Sequence, residues 1–330
     1  MKPRIEPVRW TPPPVPSRAR QKTGPEPFPP MRLIHLPGHG PEDVVVDGEG
    51  RLVTGLHDGR ILRVDPETEE AEELTNTHGR PLGLELLADG RIAVCDTRLG
   101  LVALDPATGD MELLAKRIDG EDMRFCSNAA QASDGTVFFT DSSHRYGFDH
   151  WRADIYEHTA TGRLYRWRDN ETVDWLLDGL AFANGVALAA DESYVVVAQT
   201  GAYELTRLWL TGPKEGTYEP WVTLPGSPDN IRRGPSGLLW VTLPSPRDRR
   251  LDWLLPRAPW LRKTAWALPD RLAPPVRTIW VVGIDDEGRI VRDLQAPGRE
   301  WAFATGVAEH DGRLYLASIA ESSIAVLDLR

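Results

Sequence analysis

Short apolar runs rich in Val, Ile, Leu and Tyr alternate with Asp-Gly, Glu-Gly and Ser-Gly turns along most of the chain. β-branched and aromatic runs suit strands, and glycine turns between them suit hairpins. One unit recurs: an apolar strand, a turn ending in Gly, then a second apolar strand. Its copies span residues 43–55, 83–96, 129–141, 185–199, 230–242 and 306–318. The turn glycines are Gly50, Gly90, Gly135, Gly237 and Gly312, and Glu192 stands in that place in the fourth copy. The period is roughly 40–45 residues, stretched by insertions, which is how four-stranded propeller blades read. The pattern predicts an all-β, six-bladed β-propeller over residues 31–330. A β-sandwich would not keep this turn chemistry in register through six copies. The segment 31–36 should add an outer strand to the last blade, closing the ring and removing an open sheet edge.

This topology places the chemistry. In each copy the first half is the innermost strand of a blade. Residues just before it, and loops after the second strand, share one face of the ring. Two segments fall outside the repeat. Residues 1–30 carry ten of the 28 prolines. Proline removes amide donors and favours polyproline II, so this arm is either disordered or laid over the body. Residues 244–275 form a long insertion in blade five, containing Trp253, Trp260 and Trp266 among basic residues. Pro256 and Pro259 divide it, which predicts two short helices.

Composition narrows the function. With 41% apolar and 26% charged residues the chain is an ordinary globular one. Its net charge of -11 is a poor match for nucleic acid and a better one for a cation. Two cysteines exclude a disulfide scaffold and a Cys-rich zinc module. No apolar run reaches the length of a membrane span, and no signal peptide is visible. The expectation is a soluble, cytoplasmic protein.

Immediately before the inner strands stand Glu42 in blade one, Asn128 in blade three, Asn184 in blade four, and Asp229 with Asn230 in blade five. Blades two and six carry Leu82 and Thr305 nearby. Propeller symmetry brings these points to the channel axis. Two carboxylates and two or three carboxamides form an all-oxygen donor set, which favours Ca²⁺ over zinc. The competing reading is that Asn, Asp and Glu simply favour turns. In the loop after the second strand of blade three, His144 and His150 are acid–base candidates or ordinary loop residues. His57 and Glu321 occupy equivalent loops.

The stretches FANGVALAADESYVVVAQT and GSPDNIRRGPSGLLWV, the insertion LDWLLPRAPWLRKTAWAL and the ending EHDGRLYLAS resemble the strictosidine-synthase-like family, in particular its branch of adipocyte plasma membrane-associated proteins. The likeness runs from about residue 40 to the C-terminus, within a wider superfamily that includes paraoxonases and gluconolactonases. The resemblance implies a catalytic calcium held by Glu42, Asn128, Asn184 and Asp229, with Asn230 as an additional ligand. It also shows departures. Thr305 replaces the glutamate that strictosidine synthases need for their condensation, and Leu82 replaces the paraoxonase histidine. Asp43 matches a ligand of the paraoxonase structural calcium, but Ala129 replaces another, so a second ion is not expected.

The expected activity is calcium-dependent hydrolysis of lactones or aryl esters, with Asp229 as nucleophile or general base and a small-molecule substrate. The alternatives are a strictosidine-synthase-type bond-forming enzyme, disfavoured by Thr305, and a non-catalytic binding module. The insertion reads as a lid over the channel mouth, or as a peripheral membrane element through 251–268.

Overall fold

In the computed structural model, which describes residues 2–168, 172–270 and 274–329, six four-stranded antiparallel sheets surround a central channel. Blade one is built from Val44–Val46, Leu52–Gly55, Arg60–Val64 and Ala71–Asn76, running from the channel outward. Blades two, three and four repeat this order from inner strands Pro81–Leu86, Cys126–Gln131 and Ala183–Leu188. Blade five starts at Ile231–Arg233 and blade six at Ala304–His310. Met31–His35 pairs antiparallel with Ser323–Asp328, Met31 opposite Leu327 and His35 opposite Ser323, and so forms the outer strand of blade six. The first strand of the ring therefore closes the last blade.

The turn chemistry explains the repeat. Gly50, Gly90, Gly135, Gly237 and Gly312 all have positive φ, between 73° and 90°. Glu192 meets the same demand at φ 57°. Its carboxylate accepts bonds from the Ser133 backbone N–H and hydroxyl in the neighbouring blade, which offsets the strain of a left-handed residue with a Cβ.

The core lies in the seams between blades. Val45, Val53, Leu84 and Val94 join blades one and two, and Cys95, Ala103, Val137 and Phe139 join two and three. Equivalent clusters fill the next three seams, and Ile34, Val44, Ala308 and Tyr315 close blade six on blade one. Strands with both faces in a seam are buried throughout, as Tyr194–Gln199 is. This is why they read as continuous apolar runs.

Helices cover one face of the ring. α1 (Trp151–Glu157) lies in the blade-three loop; α2 (Arg249–Leu254) and α3 (Pro259–Ala267) lie in the blade-five insertion. Asp248 caps α2 by accepting from the N–H groups of Arg250 and Leu251, and Pro259 starts α3, where its missing N–H costs nothing. Positions 271–273 of the 244–275 insertion lie outside the described residues. The proline-rich arm is laid over these helices. Ile5 is buried with Tyr146, Ala153 and Trp266. Val8 N–H bonds the Glu157 carbonyl, Trp10 N–H bonds that of Leu255, and the Trp10 ring stacks on His158 at 4.1 Å. Further on, Arg18 pairs with Asp293 and lies 4.6 Å over the Trp280 ring.

Candidate metal centre

The site is made by a local fault in regular strand structure. Inner strands of blades two, three, four and six each shift register at their mouth end: between Pro81 and Leu84, Cys126 and Ala129, Ala183 and Val186, and Ala304 and Gly306. Such bulges re-aim side chains. They contain Leu82, Asn128, Asn184 and Thr305. Asn128 and Asn184 thus sit within the first turns of their strands rather than ahead of them. Glycine follows in three cases, because neighbouring inner strands touch there. A Cβ on Gly185 would lie 2.4 Å from Ile231 N, one on Gly83 2.6 Å from the Asn128 Cα, and one on Gly306 2.6 Å from that of Asp43.

Glu42, Asn128, Asn184 and Asn230 are buried, while Asp229 keeps some exposure. Asn184 Nδ2 donates to Asp229 Oδ1 and, at 3.3 Å, to the Thr200 hydroxyl. Asn184 Oδ1 accepts from Ser127 Oγ at 3.2 Å. Asn230 Nδ2 lies 3.3 and 3.4 Å from the two Glu42 oxygens. Asn128 Oδ1 is 3.5 Å from the Val186 N–H, and its Nδ2 is buried without a partner, as is Asn230 Oδ1. The backbone is held by hydroxyls: Thr140 bonds the Asn184 carbonyl at 2.7 Å, Thr242 that of Thr305 at 2.6 Å, and Thr305 that of Glu42 at 2.6 Å. Each of these spans two blades, so the ring is cross-braced at its donors.

Burial disfavours both carboxylate charges at the mouth. Burial, then the negative fields of Asp229 and Asp43, hold the Glu42 carboxyl well above its ordinary range. Burial pushes Asp229 up to about 7, against the hydrogen bond from Asn184. Among the described residues no three His, Cys, Asp or Glu side chains gather closely enough to hold an ion by themselves. The donor set is mixed, two carboxylates with carboxamides, and all oxygen once an amide turns about its last torsion. The unpartnered Asn230 oxygen and the two disfavoured charges fit a hard cation that takes several oxygens.

Deeper in the channel the protein supplies its own cation. Arg232 Nη2 reaches Asp43 at 3.1 Å and the Leu84 carbonyl at 2.6 Å, and Nη1 reaches Glu85 at 2.6 Å. The carboxylate that matched a second calcium ligand is paired with a guanidinium. Arg232 was unremarked in sequence, where an inner-strand Ile-Arg-Arg reads as a solvated face.

Above the ring the mouth is apolar. Leu82, Phe125 and Phe182 are buried together, with Phe148 and Ile155 of the blade-three loop packed on them. Phe182 and Phe303, one residue ahead of the inner strands of blades four and six, both have φ 60°, a strained conformation for a bulky residue. The blade-three loop is therefore the immediate cover. The blade-five insertion stands outside it: Arg262 bonds the Tyr156 and Glu157 carbonyls, and Trp266 packs on Tyr156 at 5.2 Å. His144 turns to Glu121, at 3.0 Å, and to Arg163, at 3.1 Å. His150 is exposed at the start of α1. Neither is hydrogen-bonded to the ring among the described residues. His57 instead lies by the cover, 6.5 Å from the Phe148 ring, and Glu321 pairs with Arg277 at 2.9 Å. Sequence reasoning missed Arg80, Phe125 and Phe182. The signal was available: Phe125, Phe182 and Phe303 recur two or three residues ahead of a ring position, and Arg80 immediately precedes an inner strand.

Residues 129–213 match the strictosidine synthase family model, and residues 30–64 match that of the strictosidine synthase-like N-terminal region. The chain is 32% identical to strictosidine synthase-like protein 10 of Arabidopsis thaliana, covering 92% of this chain and 89% of that protein. It is 34% identical to the adipocyte plasma membrane-associated protein of Salmo salar, covering 88% of this chain and 76% of that protein. Its fold is shared with a gluconolactonase from Xanthomonas campestris, at 19% identity and TM-score 0.67 over 100% of this chain and 99% of that one. A calcium-binding protein, regucalcin, from Agrobacterium tumefaciens superposes with TM-score 0.64 at 14% identity, over 91% and 93% of the two chains. The chain belongs to the strictosidine synthase-like family of six-bladed propellers, together with the adipocyte plasma membrane-associated proteins.

Proposed function

We propose that the protein is a calcium-dependent hydrolase of lactones or aryl esters. One observation carries this reading: two carboxylates, the buried Glu42 and the half-buried Asp229, share the channel mouth with Asn128, Asn184 and Asn230 beneath an apolar cover. These five residues would hold the ion. When bound, Ca²⁺ supplies Lewis-acid polarisation of a carbonyl oxygen and counters developing negative charge.

The chain's own residues do the rest. Asp229 is the one ring carboxylate that keeps some exposure, so one of its oxygens can meet a substrate carbonyl or a water. A carboxylate in that position can take a proton from a water or attack a carbonyl carbon, the part a general base or nucleophile plays. Asn184 orients it through its Nδ2. Leu82, Phe125, Phe148 and Phe182 exclude bulk water and give an acyl or aryl group an apolar surface. His144 and His150 are left out of this mechanism.

Thr305 weighs against a bond-forming enzyme of the strictosidine-synthase type. Its hydroxyl is buried and donates to the Glu42 carbonyl, so it braces the ring and offers no acid or base. The insertion carries exposed Trp253 and Trp260 with Arg249 and Arg250 beside them, which supports peripheral contact with an anionic bilayer through 251–268. No described helix is long and apolar enough to cross a membrane. Hydrolysis is tested by screening aromatic esters and lactones with and without EGTA. Turnover that EGTA abolishes and calcium restores is expected. No turnover over the panel would favour a non-catalytic binding module.

A further inference from the structure

We infer that Arg80 is the anchor for the carboxylate of an amphipathic organic acid or acyl substrate at the channel mouth. The residue immediately precedes the inner strand Pro81–Leu86 of blade two, two positions ahead of Leu82 in that blade's bulge. It is 4% exposed, yet Nε, Nη1 and Nη2 all lack a hydrogen-bond partner.

Other buried and half-buried arginines among the described residues behave differently. Arg232 is engaged by Asp43, Glu85 and the Leu84 carbonyl. Arg262 bonds the carbonyls of Val8, Tyr156 and Glu157. Arg247 bonds Asp252 and the carbonyls of Pro13 and Pro14. A guanidinium withdrawn from water without acceptors is costly, and structures retain one where a ligand completes it. Nearby carboxylates do not serve Arg80. Asp96 accepts from Thr77 Oγ1 and from the N–H groups of Arg98 and Leu99, and Glu42 faces Asn230.

The surroundings specify the ligand. The Arg80 guanidinium carbon is 5.5 Å from the Phe148 ring centroid, and a Cβ at Gly40 would come within 3.4 Å of Nη2. Phe148 packs in turn on the buried Phe125 and Phe182, so the anion's neighbours on that side are aromatic. A planar carboxylate matches the guanidinium fork through two parallel bonds. Its single charge balances one arginine. A phosphate dianion would bring excess negative charge toward Glu42, Asp43 and Asp229. This deepens the hydrolase reading by giving its substrate a carboxylate, but the binding step needs no turnover and stands or falls separately.

The test is calorimetric titration of the full-length protein, calcium-free and calcium-loaded, with phenylacetate, its neutral isostere phenylacetamide, and inorganic phosphate. Phenylacetate should bind, with the amide and phosphate weaker by about tenfold or more, the scale of a charge-assisted pair. Arg80→Met should lose phenylacetate binding by a similar factor and Arg80→Lys should keep part of it. Removing an unpaired buried charge should leave the Arg80→Met melting temperature at or above wild type, which separates lost binding from lost folding. Unchanged binding in Arg80→Met, absence of phenylacetate binding in wild type, or equal binding of phosphate would each overturn the assignment.

Discussion

Arg232 places its Nη2 3.1 Å from the Asp43 carboxylate, tying blade five to blade one past blade six. Glu85 of blade two takes the same guanidinium at 2.6 Å. Asp43 and Glu85 are both raised above the ordinary carboxylate range by burial, and Arg232 pulls both back. Removing the arginine leaves the buried Asp43 and the half-buried Glu85 with no counter-charge. Arg232→Met should therefore cost about 3–5 kcal/mol in urea unfolding. The double variant Arg232→Met with Asp43→Asn should recover part of it, because the uncompensated charge, rather than the lost contact, dominates. Additive losses would show that the pair does not interact as described.

Calcium and protons should compete at the mouth. Asp229 rises to about 7 in the folded protein, and Glu42 is raised with it, both first by burial. A carboxyl raised above its unfolded value contributes stability that is complete below the unfolded pKa. That stability is lost as pH climbs through the folded one. EGTA-treated protein should accordingly lose stability between about pH 4 and pH 7 through these groups. Saturating calcium should stabilise by mass action, more at pH 8 than at pH 5, since the ion needs both groups ionised. Melting curves at the two pH values, with and without calcium, test this. An equal calcium shift at both would remove Asp229 and Glu42 from the donor set.

A second pH effect has the opposite sign. Burial lowers His158 to about 4, beneath the stacked Trp10 ring. The unfolded chain takes up this proton near pH 6.5 and the folded one does not, so stability falls as pH drops from about 6.5 toward 4. His158→Gln should flatten that acidic limb in denaturation curves measured with calcium bound. An unchanged limb would place the acid sensitivity elsewhere.

Much of this was legible because it is local. Asp-Gly and Glu-Gly turns demand positive φ at one residue, and a fixed period exposes that demand six times, even where Glu192 replaces glycine at φ 57°. The placement of Glu42, Asn128, Asn184 and Asp229 at the mouth ends of inner strands was legible from repeat position. What was hidden depends on contacts distant in sequence. The seven-residue α1 is too short to be stable alone, and is held by Ile5 of the N-terminal arm and Trp266 of the blade-five insertion. Arg80 and Arg232 look like any polar residue beside a strand. Only closure of the ring shows that the second has three acceptors and the first has none. The expectation for His144 rested on loop position alone, and its side chain lies against Glu121 and Arg163.

Asp229→Asn separates enzyme from scaffold. Asparagine keeps an oxygen for a cation and removes the basic or nucleophilic one. At saturating calcium, hydrolysis should fall by at least about 10²-fold, the scale of a positioned acid or base. Asn184→Ala should act on calcium affinity first, and excess calcium should restore part of its rate. Equal rates in wild type and Asp229→Asn would discard the chemistry assigned to Asp229.

The closest approach among Gly83, Gly185 and Gly306 gives a sharper test of how fold and site are joined. Gly185 follows the donor Asn184, and a Cβ there would lie 2.4 Å from Ile231 N and 2.6 Å from the Asp229 carbonyl oxygen. Both are backbone atoms, so neither can swing aside as a side-chain end would. Gly185→Ala must therefore push blades four and five apart at the donors themselves. Overpacking of this kind costs about 1–3 kcal/mol. Calcium affinity should fall with it, because Asn184 and Asp229 stand on the two strands that separate. Gly90 supplies the control. A Cβ there meets nothing within 4 Å, but its φ of +90° makes any side chain strained. Gly90→Ala should lose stability comparably, through backbone strain at a hairpin turn, and keep wild-type calcium affinity. If the two variants lose stability and calcium affinity in the same proportion, the loss follows general unfolding, and the close packing at Gly185 has no special part in building the site.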